Sequence, residues 1–462
     1  MKMHCTLKSA MLVICLAIHT ANANDGYPAE ELRTATAPDS GNYGDLGQAR
    51  FINGKYLAPL LTLPELSAEE IATLATRRSA QVRGGKPLQI GIGRDLIKQI
   101  AHTGAENVDT DSTWRLLNFS VASKGALALR LGFALEYPKA AAGLTLRFGG
   151  SDGEVFEVAG SELTEGAVQW SPIVTGEVVR VEISVARGYE LAQAGLKLLN
   201  ISHFDVDPAA PESEMMAKLV DPAVGCNREH VACRASPPSN FRNTAASVAR
   251  IHYMENREPY WCTGTLLNNS NTPKKHLFWS AAHCIVNQTV ADTVQTAWFF
   301  ERTNCEVNDA SRKVKYPERN GAFLRYRNVG RDMVLLELKW APPAGAVYAA
   351  WSSDLINSTG TPVEVIHHPY GFEKAYTLGS IVGLNLFPIF EGRQYGPLYE
   401  MEVLVGKTAY GSSGAGLFTR TASGVYQLRG GNVGGITRES CTNDYYSRFG
   451  DVYNDIKSYF GP

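Results

Sequence analysis

Excess charge of either sign is missing: 44 Lys and Arg stand against 46 Asp and Glu, a formal net charge of −2. A nucleic-acid binder carries a basic footprint, and none stands out here. Long hydrophobic runs are missing too. The longest lies within the first 23 residues, and nothing later approaches the ~20 apolar residues that cross a bilayer. Cysteine is absent between Cys15 and Cys226, and no later pair has the C-x2-C spacing of a zinc knuckle. These gaps exclude a nucleic-acid partner, an integral membrane protein and a structural zinc. What is present is ordinary for a globular chain: 44% hydrophobic and 19% charged residues, with 43 Gly and 22 Pro. A length of 462 residues corresponds to about three folded units.

The N-terminus reads as an export signal over residues 1–23. Lys2 and Lys8 form a basic n-region, Ala10 to Ile18 an apolar stretch, and Ala21-Asn22-Ala23 a small-x-small cleavage site. Cys5 and Cys15 leave with it. The remaining six, Cys226, Cys233, Cys262, Cys284, Cys305 and Cys441, are an even set in an exported chain, which implies disulfides. All six lie beyond residue 225, so a cysteine-free region precedes a disulfide-stapled domain.

Ser67 to Leu74 predicts a helix, with Ser67 as N-cap and Glu70 completing a capping box. From Trp114 onward the texture changes to short alternating runs, such as Leu127–Leu131, Leu144–Phe148 and Val178–Ile183, separated by glycine turns. This pattern predicts a small β-sandwich over about 110–206. Asp205–Asp221, rich in Pro, Ala and Glu, reads as an exposed linker. Beyond it, Met333–Leu338 and Val363–Ile366 read as strands, and Asp451–Phe460 as a closing helix. Gly91-Ile92-Gly93 lacks the third glycine of a dinucleotide fingerprint, because position 96 is Leu.

Two segments carry chemistry. Trp279-Ser280-Ala281-Ala282-His283-Cys284 offers a histidine after an apolar strand, and Gly411-Ser412-Ser413-Gly414 a serine in a small-residue turn. Such a turn projects a hydroxyl without obstruction, and its successive N–H groups can converge on a developing oxyanion. A serine needs a general base, usually a histidine held by a carboxylate. The last histidine is His368, so with Ser413 as nucleophile the Ser…Asp…His order is excluded and His…Asp…Ser remains. Four aspartates lie between: Asp292, Asp309, Asp332 and Asp354. Only Asp332 directly precedes a strongly apolar strand, which favours it as the buried carboxylate.

With these segments the chain resembles the trypsin/chymotrypsin-type serine proteases, and within them the bacterial lysyl endopeptidases. The matching stretches are Cys262–Asn269, Phe278–Cys284, Arg331-Asp332, Ile366–Pro369, Gly411–Gly414, Tyr426–Gly431 and Asn443–Tyr446. They cover essentially all of 222–462; the upstream region matches as a signal-plus-propeptide layout. The resemblance implies an all-β fold, a chymotrypsin-like double β-barrel with a C-terminal helix, preceded by a mainly β propeptide. It implies His283 as base, Asp332 as its orienter, Ser413 as nucleophile, Gly411 and Ser413 N–H groups as oxyanion hole, and Arg429, Gly430 and Gly431 as the edge that pairs with substrate backbone. It pairs Cys262 with Cys284, Cys226 with Cys441, and Cys233 with Cys305. The aspartate of a trypsin pocket, six residues before the serine, is replaced by Lys407. The lysyl endopeptidase pattern instead places the acid at Asp444, with Asp451 as next candidate, and a carboxylate there suits a lysine ammonium.

The resemblance thus implies a secreted, monomeric endopeptidase that acts on proteins with lysine at P1, without cofactor or metal and without nucleic-acid or membrane partners. Ser412 stands where mammalian zymogens keep the aspartate that captures a new amino terminus, so that switch is absent. Between Arg187 and Arg228 the only basic residues are Lys197 and Lys218. Self-cleavage after Lys218 would leave Leu219 as N-terminus of a 219–462 protease domain and release a 24–218 propeptide that templates folding and blocks the cleft. The competing readings are a catalytically inactive homologue acting as a binding or adhesion module, a broader Lys/Arg protease, and a non-peptide esterase. His367-His368 reads as a structural loop motif, and Tyr260 and Trp261 as packing.

Overall fold

The computed structural model describes residues 49–53, 59–84, 87–99, 106–111, 114–163, 168–190, 194–216, 228–306, 320–390, 392–435 and 443–461. The expected signal segment, the Lys218–Leu219 bond, Cys226 and Cys441 lie outside them. Among the described residues no helix is long and apolar enough to cross a membrane.

The first module is a two-sheet sandwich. One sheet has six strands, with Trp114–Ser123, Val178–Ala186 and Leu144–Gly149 at its centre; the other has five, centred on Leu196–Phe204 and Ala128–Leu135. Alternate residues of these strands, among them Val121, Leu131, Phe133, Phe148 and Ile183, fill the space between the sheets. Each such side chain contributes about 1.5–3 kcal/mol on burial. The sandwich starts upstream of residue 110: Leu61–Leu63 and Glu106–Asp111 join the first sheet and Gly91–Gln99 the second. The helix Ala68–Gly84 begins as its capping box requires. Glu70 N–H donates to Ser67 Oγ at 3.1 Å and Ser67 N–H to the Glu70 carboxylate at 2.7 Å.

The second module holds a six-stranded sheet and an eight-stranded sheet. The first comprises β1 (Val248–Glu255), β2 (Glu258–Leu266), β3 (Leu277–Ser280), β4 (Gln295–Ala297), β5 (Ala322–Asn328) and β6 (Met333–Leu338), in the order β4-β1-β2-β3-β6-β5. The second is built on β7 (Pro362–His367), β8 (Ala375–Leu386), β9 (Leu398–Val405), β10 (Gly416–Arg420), β11 (Tyr426–Gly435) and β12 (Asn443–Tyr446), with the two-residue strands Glu229–His230 and Ala350–Trp351 added beside β8 and β11. Its antiparallel pairs run β8-β7-β10-β11-β12-β9 and close through β9 onto β8, a complete barrel. The chain is thus mostly strand, as expected.

The closing helix is shorter than expected. Only Tyr453–Ile456 is α-helical, between tight 3-10 turns at Phe449–Asp451 and Lys457–Tyr459. Phe449, Tyr453 and Phe460 crowd onto Trp351, with ring centroids 4.9–5.3 Å away, and this aromatic packing overrides regular helix geometry.

Over its described residues, 205–216, the expected exposed linker is packed against the second module. Val206, Ala210 and Met215 join Leu88, Ile90 and Phe204 in an apolar cluster with Trp261, Phe300, Tyr370 and Phe372 of the second module. Ile90 N–H donates to the Pro259 carbonyl at 2.9 Å, extending β2 sideways. Glu212 sits among two guanidinium groups and an imidazole: Arg228 at 2.5 Å, Arg302 at 3.1 Å and His230 at 3.0 Å. Pro and Ala mark a segment with little local structure; they say nothing about what it docks against.

Candidate active site

β3 ends at Ser280, and the next turn carries His283. The turn is held from both sides: Cys284 is bonded to Cys262 of β2, and Arg327 of β5 donates to the carbonyls of Ala282 and Ile285 at 3.0–3.1 Å. Asp332 closes the site from the residue before β6. It is 2% exposed and has a φ of 53°, a left-handed conformation that Asp tolerates better than most residues. Its two oxygens take two groups of the same histidine: Oδ2 lies 2.6 Å from Nδ1, and Oδ1 accepts the His283 backbone N–H at 2.8 Å. A carboxylate only accepts, so Nδ1 carries the proton and Nε2 is the basic nitrogen. The other aspartates are engaged elsewhere: Asp292 with Lys339 at 2.7 Å and Asp354 with the Ser352 hydroxyl, while Asp309 lies outside the described residues.

The second barrel supplies the serine. The turn before β10 places Ser413 between Gly411 and Gly414, at φ 86° and 83°. Both need to be glycine: a Cβ at Gly411 would come within 2.8 Å of Gly371 N and His368 O, and one at Gly414 within 2.6 Å of Ala281 N. This second approach presses the serine turn onto the segment leading to His283. Thr263 N–H of β2 completes the join, donating to the Ser413 carbonyl at 2.9 Å. Behind the turn, Ser412 Oγ accepts Ala409 N–H at 3.0 Å and lies 2.7 Å from His367 Nδ1, while His367 Nε2 is 3.0 Å from the Thr377 hydroxyl. Burial, with His230 nearby, pushes the His367 imidazole down to about 3, so it stays neutral. His368 Nδ1 bonds the Phe372 carbonyl at 2.9 Å.

Asp444 lies on β12, buried, with its Oδ2 accepting the Thr408 hydroxyl at 2.6 Å. Burial raises its pKa; the bond from Thr408 and the Tyr446 hydroxyl at 3.5 Å offset part of that rise. Lys407 turns the other way, its ammonium 5.9 Å from the Tyr370 ring centre. Asp451, the alternative acid, is taken up by Arg448 at 2.7 Å and Arg331 at 3.7 Å.

A family profile described as the lysyl endopeptidase C-terminal domain matches residues 220–453, and one described as the lysyl endopeptidase N-terminal domain matches 62–205. A lysyl endopeptidase of Pseudomonas aeruginosa is 32% identical over 471 residues, 99% of this chain and 99% of that protein. The chain belongs to the lysyl endopeptidase family. It is a serine endopeptidase. Among solved structures, the active form of an M. tuberculosis protease aligns with 51% of the chain and 90% of its own length, at 17% identity and a TM-score of 0.34. A thermostable serine protease from an extremophilic microorganism aligns with 47% of the chain and 97% of its own, at 13% identity and a TM-score of 0.33.

In this lysyl endopeptidase family member the expected edge residues Arg429, Gly430 and Gly431 lie within β11. Gly430 and Gly431 pair with Leu417 and Gly416 of β10, and Gly431 exchanges bonds with Ser447, its N–H reaching Ser447 Oγ at 3.0 Å and its carbonyl accepting Ser447 N–H at 2.8 Å. The Arg429 side chain turns to the Asp354 carbonyl and the Thr419 hydroxyl. That backbone is used inside the barrel. The part of β11 beside Asp444 is Val433–Gly435, with Gly435 its register partner. Sequence reasoning did not single out this stretch or Thr408, which bonds Asp444; the signals were the Gly434-Gly435 pair and a hydroxyl five residues before the serine. Of the expected disulfides, Cys262–Cys284 and Cys233–Cys305 are present, and the Cys226–Cys441 pair falls outside the described residues.

Proposed function

We propose that this serine endopeptidase is secreted and cuts on the carboxyl side of lysine, using His283, Asp332 and Ser413. Ser413 Oγ attacks the scissile carbonyl while His283 Nε2 takes its proton and later delivers it to the leaving amine. Asp332 holds the required tautomer and stabilises the imidazolium. The N–H groups of Gly411 and Ser413 receive the oxyanion. Val433–Gly435 offers the backbone edge for the residues before the cut, a shift of the edge from Arg429–Gly431. The observation that carries the lysine reading is the buried Asp444 carboxylate, bonded to Thr408 within the barrel that bears Ser413. An ammonium arriving there meets an acid whose charge burial disfavours, so pairing relieves a cost already present.

The enzyme is made as a precursor with residues 1–23 as export signal and 24–218 as propeptide, processed by its own activity after Lys218 and active as a monomer. Two measurements test this reading. Digests of a denatured protein mixture, read by mass spectrometry, should show new termini only after lysine, and none with Ser413→Ala; cuts after arginine as well would refute the narrow pocket. N-terminal sequencing of the mature protein should begin at Leu219.

A further inference from the structure

We propose that Thr263 is a positioning residue for the oxyanion hole: its hydroxyl, reaching across from the first barrel, sets the orientation of Gly411. The inference rests on the reading of Gly411 N–H as an oxyanion donor. Thr263 is fully buried on β2, and all its polar groups are engaged at the junction of the barrels. Its N–H donates to the Ser413 carbonyl at 2.9 Å, and its own carbonyl accepts the Ser280 hydroxyl at 2.8 Å. Its hydroxyl donates to the Gly411 carbonyl at 2.6 Å and accepts His368 N–H at 3.1 Å.

The two peptide units flanking Gly411 are therefore pinned separately. The Tyr410 carbonyl accepts Tyr370 N–H. In a trans peptide the next N–H points the opposite way, so Gly411 N–H is turned from the 368–372 loop. The Gly411–Ser412 unit is held by Thr263 at its carbonyl and by the Ala409 carbonyl at its N–H, at 2.9 Å. Glycine resists rotation of these units least of all residues, and Gly411 sits at a φ of 86°. Without the hydroxyl, its carbonyl becomes a buried acceptor lacking its donor, and rotation is the cheapest relief. The donor N–H then turns off target.

The test is Thr263→Val, which removes the hydroxyl and keeps the shape, beside Thr263→Ser, which keeps the hydroxyl. Read kcat and KM on a lysyl amide, the affinity of a lysine aldehyde that forms a hemiacetal oxyanion on the serine, and the affinity of butylamine, which probes the acidic pocket alone. Removing an oxyanion donor outright costs 10²–10³-fold in kcat, so misdirecting one should cost about 10–100-fold. Thr263→Val should lose that factor in kcat and in aldehyde affinity, with KM and butylamine affinity within about twofold; Thr263→Ser should recover to within about threefold. Equal loss of aldehyde and butylamine affinity, no loss of either, or a Ser variant as poor as Val overturns the proposal. Should the Val variant not fold, Thr263→Ala carries the same expectations. Failure of the underlying reading shows differently, as a wild-type enzyme that the aldehyde does not inhibit.

Discussion

Replacing Asp444 by Asn changes one charge and almost no volume, and an Asn oxygen can still accept the Thr408 hydroxyl that the carboxylate holds at 2.6 Å. Two effects of opposite sign follow. For a lysine substrate the variant removes one member of a desolvated ion pair, which costs about 3–5 kcal/mol. At 1.36 kcal/mol per decade that is a loss of two to nearly four decades in kcat/KM. For the fold the sign reverses. Burial raises the Asp444 pKa above the ordinary 3.8, so its contribution to stability is greatest below that value and is lost as pH climbs through the window up to the folded pKa. The amide does not titrate and has no such loss, so Asp444→Asn should melt higher than its parent at neutral pH and equal it in strong acid. The assays are kcat/KM on matched Lys and Arg peptides, and thermal unfolding in a Ser413→Ala background that prevents autolysis. The same titration makes wild-type cleavage after lysine fail on acidification at a pH above 3.8. A variant that keeps its lysine preference within threefold, or melts lower at neutral pH, refutes the reasoning.

Asp332→Asn should lower kcat about 10⁴-fold by presenting an amide donor to Nδ1 and favouring the wrong tautomer; retained kcat would show that Asp332 does not orient the base. Removing the Cys262–Cys284 bond by a double Ser substitution opens a loop with a separation of 22 residues, a loss of about 3 kcal/mol measurable by denaturant unfolding. Glu212 anchors the N-terminal module. Burial raises its pKa, but His230 and Arg228 outweigh that and hold it below the ordinary 4.5, so its stabilisation is present above that value and fades as pH falls below it. Gel filtration of processed protein should therefore show the two pieces separating in acid, and Glu212→Gln separating them already at neutral pH.

Legibility followed the range of the interactions. The capping box of Ser67 and Glu70 and the strand Met333–Leu338 were readable, because each rests on neighbours in sequence. Gly91–Gln99 was not: its residues show no alternation, and it becomes a strand by pairing with Leu196–Phe204. The segment 205–216 looked like a solvated linker since its burial comes from Trp261, Tyr370 and Phe372, far away in the chain. Which glycines of β11 are engaged within the barrel was unreadable for a related reason. Any glycine-rich part of β11 satisfies the pattern, and only the register with β12 tells which peptide groups are already engaged. Thr263 gave no signal at all, being one hydroxyl among many in a strand.

The division of the site between two barrels also sets a timetable. His283 and Asp332 belong to the first sheet and Ser413 and Asp444 to the second, while Thr263 N–H to the Ser413 carbonyl ties one to the other. A growing chain can complete its first barrel, with His283 and Asp332 already paired, before the segment that carries Ser413 and Asp444 has been made. The second barrel closes only when β9 pairs with β8 and β12, and β12 carries Asp444. Proteolytic competence therefore comes at the end of folding, so this serine endopeptidase stays harmless to its maker for nearly all of its synthesis.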